Sequence, residues 1–398
     1  MESQVVLPAL KECMRYFYIG PRYHVPANTA DTISALLPGA GGNSGNLLIG
    51  NALHKQLGVE TLSQPLRTFD KKKIEEDYDM IVIGASNFLF EGFDFGSHAK
   101  FLDEVQLPVT IIGLGAQAPS YDKKINIPEG TQRFVRIISE RSATLGVRGH
   151  YTAQVLNDIG IKNVRAIGCP SMYWSCSPKI KIRKKLFYNK NTKLKVSVNG
   201  SANVVDHSVD PVAAKRVEET LAKLSFQSGY KYILQNESVL MEMALDGADF
   251  GQDVVQHLMR LYGLEDAAEE AFVEFVKNKM DAYFDIEQWM TEIKKNDLVI
   301  GTRFHGCLIG LLAGVPSFMF VHDTRTKEMC ELLKIPHADV RDVRNIDIYS
   351  LYLSLDYEEY HVEYSRMFAE YRNFLDENRL VHSLLDKKYL VCGTNKKF

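Results

Sequence analysis

An arginine and a histidine stand two residues apart where an apolar strand gives way to an apolar helix, in DLVIGTRFHGCLIG (297–310). The strand pattern ends at Gly301, Thr302 is of a type that caps helices, and Arg303 and His305 fall in the first helical turn. A helix N-terminus offers unpaired N–H groups, and an arginine adds two parallel donors for phosphate or carboxylate. This turn therefore predicts an anion site. The alternative is structural, with Arg303 tying down a loop and His305 packing inside.

A second charged turn follows the next apolar run, SFMF (317–320). Asp323 precedes a helical pattern that carries Arg325 and Lys327 near its start, so this turn is a second candidate anion site. A solvated helix surface is the open alternative. Arg148 ends another short apolar run, and taken alone an arginine in that position is typical of a surface ion pair.

The elements around these residues alternate between strand and helix. Apolar runs at 79–87 and 109–117 end in small residues, as buried parallel strands do where they reach a ligand crevice. Residues 129–142 have helical spacing, and 144–148 and 164–168 are predicted strands with a helix between them. The alternation predicts an α/β fold with a parallel, doubly wound sheet, which binds ligands at the carboxyl ends of its strands.

A basic, polar stretch between Pro178 and Lys193 separates two such alternations. We interpret it as a solvated linker, with peripheral contact to an acidic lipid carrier or membrane surface as the alternative. The sequence then predicts a Rossmann-like domain over 1–178, a second over 193–345, and closing helices over 346–398 that pack back across both.

The composition is that of a folded protein with two domains. The 398 residues exceed the roughly 250–300 at which single cores stop growing. With 47 basic and 50 acidic residues the formal charge is −3, so no overall field favours nucleic acid. Six cysteines without metal-type spacing indicate free thiols in a reducing compartment. The first residues lack a secretory pattern and no run reaches about 18 apolar residues, so we expect a cytoplasmic protein.

Several segments together resemble the polysaccharide pyruvyl transferase family. The most specific is 297–316, where an Arg-x-His motif opens a helix that ends in Gly-Val-Pro. The resemblance extends to GGNSGNLLIGNAL, DMIVIGASN, IIGLGAQAP and the stretch from TLGVRGHYTAQ to SMYW, and covers most of 40–176 and 297–336. It implies two Rossmann-like doubly wound domains that face each other across a cleft, a GT-B-like arrangement, with phosphoenolpyruvate as the donor.

The resemblance also implies roles for single residues. Arg303, Phe304 and His305 match the Arg-x-His motif, and Arg148 matches the arginine that follows a short first-domain strand. Both arginines are then expected to hold the phosphate and carboxylate of phosphoenolpyruvate. Further expected donor-site residues are Gly301, Thr302, Phe304, Asp323, Arg325 and Lys327.

The other side of the cleft is expected to bind a sugar, in a polysaccharide repeat unit or its lipid-linked precursor. The candidates are polar residues at strand ends and loops: Asn43, Asn46, Ser86, Asn87 and Gln117. The family usually has an acidic residue where this chain has Asn46, and often an aspartate where it has Cys169. No residue selects among galactose, mannose and acetylated amino sugars.

The reaction implied by the resemblance transfers pyruvate to two sugar hydroxyls, giving a cyclic ketal and phosphate. It requires an acid and a base, and His305, whose type has a pKa of about 6.5, suits one of these transfers. The alternative is that His305 only donates to phosphate. We expect no metal and no cofactor, because no cluster of metal-ligand residues stands out in the sequence.

Two other functions remain open. A glycosyltransferase of the same architecture would place the diphosphate of a nucleotide sugar at a similar helix N-terminus, and fold alone does not exclude it. The Arg-x-His motif favours phosphoenolpyruvate, which needs only a small cationic pocket. A non-catalytic glycan- or anion-binding protein that kept the cleft is the other alternative.

Overall fold

The computed structural model describes residues 14–25, 32–62, 66–118, 124–185 and 193–384. Cys13 and Cys392 lie outside these ranges, and the four cysteines within them are free. The described chain alternates helices with strands whose pairings are all parallel. The predicted α/β class with parallel sheets is thus confirmed.

The first half of the chain forms five strands, which are β1 (Tyr16–Ile19), β2 (Met80–Gly84), β3 (Val109–Ile112), β4 (Leu145–Val147) and β5 (Val164–Ala166). β1, β2 and β3 pair in that order, and β4 pairs with β5. The amide of Gly113 donates to the carbonyl of Gly146 at 2.9 Å, which joins the two groups edge to edge. β2 and β3 are buried along their whole length, as continuous apolar runs require.

The second half forms a six-stranded sheet of β6 (Val196–Asn199), β7 (Lys231–Ile233), β8 (Met280–Asp281), β9 (Leu298–Gly301), β10 (Ser317–Val321) and β11 (His337–Asp339). The spatial order is β11-β10-β9-β6-β7-β8. The chain runs outward from β6 to β8 and then returns to β9, so the strand order reverses between β6 and β9. Ligands of open parallel sheets bind at such a reversal.

The helices are α1 (Ile33–Gly39), α2 (Leu47–Leu57), α3 (Lys71–Asp77), α4 (Gly96–Glu104), α5 (Glu129–Arg141), α6 (His150–Asp158), α7 (Pro211–Ser228), α8 (Ser238–Met241), α9 (Gln252–Leu261), α10 (Glu269–Lys279), α11 (Ile286–Ile293), α12 (Phe304–Leu312), α13 (Thr324–Leu333), α14 (Ile348–Ser354) and α15 (Glu358–Glu377). Within the described ranges, none is long and apolar enough to cross a bilayer.

The closing helix α15 buries an aromatic stripe against elements from both sides of the linker. The ring of Tyr371 stacks on Tyr173 with centroids 4.5 Å apart, and its hydroxyl donates to Gln56 at 2.6 Å. Just before the helix, the hydroxyl of Tyr357 accepts from the amide of Ser317 at 2.6 Å. Packing and hydrogen bonds together fix this helix on the two halves.

Two local predictions are wrong. No strand was predicted before residue 79, but Tyr16–Ile19 is a strand paired in parallel with β2. Thr302 does not cap α12, because its hydroxyl donates to the buried carboxylate of Glu218 instead. Arg303 takes the N-cap position, with φ −86° and ψ 109°, and no side chain caps the first turn.

Candidate active site

A cavity of about 380 Å³ opens where strands of both sheets end. This volume falls within the roughly 300–1,000 Å³ typical of small-molecule sites. Its walls come from the loops that follow β2, β3, β4, β6, β7, β9 and β10, together with the turn before α2. The lining residues are Asn43, Asn46, Ser86, Asn87, Phe90, Phe93, Gln117, Arg148, Val204, His207, Gln235, Asn236, Thr302, Arg303, Phe304, His305, His322, Arg325 and Met329.

Arg148 follows β4 and is almost completely buried, with 3% of its surface exposed. Its Nε donates to the carbonyl of Gly113 at 3.0 Å, and Nη1 donates to Oδ1 of Asn87 at 2.7 Å. Gly115 makes room for it, since a Cβ there would lie 2.8 Å from Cδ of Arg148. Burial lowers the pKa of Arg148, but a guanidinium stays charged in proteins. Its second fork nitrogen, Nη2, is buried without a partner.

Arg303 enters the cavity from the N-cap of α12. One of its Nη atoms donates to Oδ1 of Asn236, and the same atom lies 3.8 Å from the carboxylate of Glu237. Glu237 is itself fixed, because it accepts from the amides of Gln235 at 2.9 Å and Asn236 at 3.1 Å. The Nε of Arg303 is buried without a partner. Asn236 and Glu237 therefore hold one Nη atom of the Arg303 guanidinium, and its Nε donor remains unpaired.

His305 lies in the first turn of α12 and is partly buried. Its Nε2 is 3.8 Å from the sulfur of Cys169, a fully buried residue that follows β5. Burial, and then the charges of Arg148, Arg325 and Arg303, lower the pKa of His305 well below its ordinary value. The imidazole is consequently neutral at pH 7 in the cavity as it stands.

The turn after β10 brings a third arginine to the cavity. Asp323 is fully buried, where its Oδ1 caps α13 through the amide of Thr326 at 2.7 Å and its Oδ2 holds Arg325 at 3.0 Å. Burial opposes ionisation, but Arg325 and the cap hold the pKa of Asp323 below its usual value. His322 lines the cavity beside them, and burial lowers its pKa to about 4.

Four residues that line this cavity carry a buried donor without a hydrogen-bond partner. Nη2 of Arg148, Nε of Arg303, Nε of Arg325 and Nε2 of Gln235 are all buried without a hydrogen-bond partner. Buried donors are normally satisfied, and an unsatisfied one costs about 1–3 kcal/mol. Since the uncapped N-terminus of α12 adds positive potential, the arrangement suits an anionic ligand with several oxygen acceptors.

Most of the predicted site residues meet here. The lining includes the predicted donor-side residues Arg148, Thr302, Arg303, Phe304, His305 and Arg325, and the acceptor candidates Asn43, Asn46, Ser86, Asn87 and Gln117. Asn43 also stabilises its own turn, because its Oδ1 accepts from the amide of Gly45 at 2.9 Å.

Three predicted donor-side residues do not line the cavity. Gly301 is the buried last residue of β9. Asp323 stands behind Arg325 and positions it. Lys327 lies one turn into α13, where its ammonium pairs with Glu331 at 3.9 Å. A helix turns by about 100° per residue, so Arg325 and Lys327 cannot point in the same direction.

Sequence reasoning missed residues of three kinds. Gln235 and Asn236 directly follow β7, so the strand-end rule that selected Asn87 would have found them. Phe90 and Phe93 are apolar and carried no signal for a binding wall. His207 and His322 come from the loops after β6 and β10.

Among the described residues, no three His, Cys, Asp or Glu side chains gather as potential metal ligands.

The model of one protein family, polysaccharide pyruvyl transferase, matches residues 43–324. This match spans the cavity from Asn43 to the turn at Asp323. No curated protein matches the chain.

Some solved structures are similar to this one in backbone fold. A putative UDP-N-acetylglucosamine 2-epimerase from Listeria monocytogenes has 10% identity and a TM-score of 0.38, and the match covers 89% of this chain and 80% of that one. The glycosyltransferase SnogD from Streptomyces nogalater has 12% identity and a TM-score of 0.30, with coverages of 89% and 82%. A complex of MnaA with UDP from S. aureus has 12% identity and a TM-score of 0.35, with coverages of 77% and 75%. At such TM-scores these likenesses support no statement about function.

Proposed function

Because the chain belongs to the polysaccharide pyruvyl transferase family, we propose that it moves the pyruvate unit of phosphoenolpyruvate onto two hydroxyls of a sugar. The sugar belongs to a cell-surface polysaccharide or its lipid-linked precursor, and the products are a cyclic ketal and phosphate. The observation that carries the proposal is the meeting of three arginines, each with an unpaired buried N–H, around a partly buried histidine.

The charges of the donor suit this cavity. Phosphoenolpyruvate carries about three negative charges near neutral pH, two of them on the phosphate. Arg148, Arg303 and Arg325 supply three positive charges, and their free N–H groups would bind phosphate and carboxylate oxygens. The N-terminus of α12 adds backbone donors. The ligand would thus satisfy donors that otherwise remain buried and unpaired.

Donor binding would also charge the histidine. The three arginines keep the pKa of His305 low, and a bound trianion offsets them, so the pKa rises and the imidazole gains a proton. We assign His305 the transfer of this proton to the methylene carbon of phosphoenolpyruvate. Its alternative role is that of a further donor to the phosphate, without proton transfer.

The remaining steps use the two hydroxyls of the sugar. As C3 accepts the proton, its double bond to C2 becomes a single bond. The first hydroxyl oxygen bonds to C2 and releases its own proton to solvent in the cavity, giving a tetrahedral phosphate ester. The second hydroxyl oxygen then bonds to C2, the bond from C2 to the phosphate oxygen breaks, and phosphate leaves with the proton of that hydroxyl. The amides of Asn46, Asn87 and Gln117 lie in the same cavity and are suited to hold the sugar.

We also propose that the reaction takes place in the cytoplasm. The cysteines Cys169, Cys176, Cys307 and Cys330 are free thiols, which fits a reducing compartment.

The test is phosphate release from phosphoenolpyruvate by the purified full-length protein, without added metal. The acceptors are aryl and lipid-linked galactosides, mannosides and N-acetylhexosaminides. We expect release that depends on one acceptor class, with Arg303→Ala inactive. Arg366→Ala serves as the control, because Arg366 is an exposed arginine paired with Glu363 on α15.

Two outcomes would contradict the proposal. Sugar transfer from a nucleotide sugar, without phosphate release from phosphoenolpyruvate, would establish a glycosyltransferase. Saturable binding of sugar or phosphoenolpyruvate without any turnover would establish a non-catalytic binding protein.

A further inference from the structure

Four phenylalanines crowd the loop between β2 and α4, in FLFEGFDF (88–95). Two of them, Phe90 and Phe93, line the cavity. Phe93 is 51% exposed, which leaves a large apolar surface in water at the edge of a charged site. Exposed apolar surface beside a cavity is typical of a binding site.

The loop holds these rings on a fixed base. Phe95 stacks on Phe134 of α5 with centroids 5.2 Å apart. The hydroxyl of Thr131 donates to the carbonyl of Phe93 at 2.7 Å and accepts from the amide of Phe95 at 3.0 Å. At the other end, the amide of Leu89 donates to the carbonyl of Gly115 at 3.1 Å. A fixed backbone lowers the entropy cost of using the exposed rings to bind a ligand.

Gly92 leaves room for the ring of Phe90. A Cβ at Gly92 would lie 2.6 Å from Cε1 of Phe90, so only a glycine lets that ring lie where it does. The centroids of Phe90 and Phe93 are 5.9 Å apart with planes at 65°. The rings therefore form a shallow apolar corner.

Amides lie in the same cavity as this corner. Nδ2 of Asn87 donates to Oε1 of Gln117 at 3.1 Å, which leaves the amino group of Gln117 available as a donor. Both residues line the cavity with Phe90 and Phe93. A pyranose has the matching chemistry, because one face of its ring consists of C–H groups and its rim carries hydroxyls. Aromatic faces bind polarised C–H groups, and amides bind hydroxyls.

We propose that Phe90 and Phe93 form a platform for the C–H face of the acceptor hexopyranose, which turns two of its hydroxyls toward His305 and the arginines. This inference rests on the proposed function, and it assigns the acceptor subsite. A lipid surface is the competing occupant of exposed aromatic rings. The exposed carboxylates of Glu91 and Asp94 flank the rings and would repel an anionic lipid or its phosphate, so the charges favour a neutral sugar.

The experiment measures acceptor and donor constants separately in the wild type, Phe93→Ala, Phe90→Ala and Gly92→Ala, with a soluble aryl glycoside as acceptor. We expect each variant to raise KM for the glycoside about tenfold, with KM for phosphoenolpyruvate unchanged. Gly92→Ala keeps both rings but displaces the ring of Phe90. It therefore distinguishes the effect of ring position from the effect of lost apolar area. Leu353→Ala is the matched control, because Leu353 is 50% exposed and lies on α14, outside the cavity.

A second measurement needs no turnover. Phe93→Trp places an indole on the platform, and titration with the methyl glycoside of the acceptor sugar, without phosphoenolpyruvate, is expected to change its fluorescence saturably. The two native tryptophans, Trp174 and Trp289, provide the background in the wild type.

The outcomes separate this inference from the proposed function. If the wild type transfers pyruvate but the alanine variants keep the acceptor KM, the platform is refuted and the transferase stands. If the wild type shows no transfer yet Phe93→Trp responds to sugar, the platform stands and the reaction is refuted. If the alanine variants lose only binding to vesicles of phosphatidylglycerol, the rings contact lipid and the sugar platform is wrong.

Discussion

The two walls of the cavity are built differently. On the donor wall, Arg148, Arg303 and Arg325 reach in from strand ends, and each is fixed by a buried or half-buried partner. On the acceptor wall, Phe90 and Phe93 stand on a loop, and Phe93 is half exposed. The charged groups proposed for the chemistry thus belong to the scaffold, whereas the rings proposed to hold the sugar belong to a loop.

The largest expected effect is on the donor wall, at the histidine. We expect His305→Gln to lower kcat by about 10²–10⁴, because it removes the proton donor while keeping a hydrogen bond to phosphate. Binding of phosphoenolpyruvate should change only a few-fold, as measured by calorimetry. In the wild type, activity should fall as rising pH removes the proton from His305 in the donor complex, and this limb should vanish in the variant. Near-normal turnover at every pH would leave His305 only the role of an anion ligand.

A somewhat smaller loss is expected at Arg148. Arg148→Lys keeps the charge but loses the planar fork that binds Gly113 and Asn87 and that we propose to bind the donor. We expect kcat/KM for phosphoenolpyruvate to fall by about 10²–10³, with the acceptor KM little changed. The melting temperature is measured alongside, because Arg148 is buried. An unchanged kcat/KM would remove Arg148 from the donor site.

A change of pH dependence rather than of rate is expected at Cys169, whose sulfur lies 3.8 Å from His305. Cys169→Asp adds a carboxylate there, which favours protonated imidazole and raises the pKa of His305. The high-pH limb of kcat should move upward by about one unit. Cys169→Ser, which adds no charge, is the control. If the high-pH limb of kcat does not move in Cys169→Asp, a group other than His305 causes it.

The smallest effect concerns a buried contact between α6, which begins after Arg148, and α13, which carries Arg325. Glu328 on α13 accepts from the amide of Thr152 at 2.9 Å and from its hydroxyl at 2.6 Å, and burial raises its pKa to about 7. A glutamate in the unfolded chain has a pKa of about 4.3. Between this pKa and the pKa of about 7 in the folded protein, Glu328 holds a proton that the unfolded chain has lost. Stability therefore falls as pH rises through this window.

Glu328→Gln should reduce the loss of folding stability at rising pH, because the glutamine side chain stays neutral and still accepts a hydrogen bond from Thr152. The difference in melting temperature between pH 5 and pH 8 should shrink by a few degrees. Glu359→Gln, on the exposed side of α15, is the control. If the difference in melting temperature is the same in the wild type and in Glu328→Gln, a group other than Glu328 causes the pH dependence.

The sequence was most informative about the donor wall. Arg303 and His305 follow an apolar strand that the sequence pattern identifies, and parallel strands end at one edge of a sheet. Arg148 follows a strand of only three residues, and the family resemblance was needed to assign it to the site. The cap of α12 was assigned wrongly because Thr302 has the right type, and nothing local reveals that the buried Glu218 takes its hydroxyl. Lys327 was placed in the cleft by proximity in sequence, against the helical turn that points it to Glu331.

The acceptor wall was only half predictable. Its amides, such as Asn87 and Gln117, follow strands and were found by the same rule. Phe90 and Phe93 were not, because a phenylalanine beside an apolar strand suggests core. Their loop is fixed by contacts with Thr131 and Phe134, some 40 residues further along the chain. β1 was missed for a related reason, since its four residues become a strand only by pairing with β2.

The most direct measurement is the mass of the sugar product formed from phosphoenolpyruvate in D₂O. We expect the acceptor to gain one pyruvate joined as a ketal, with one deuterium in its methyl group, because the third hydrogen of that methyl comes from a protein acid that exchanges with solvent. A product without the pyruvyl group, or an acceptor unchanged while phosphate is released, would contradict pyruvyl transfer by this cavity.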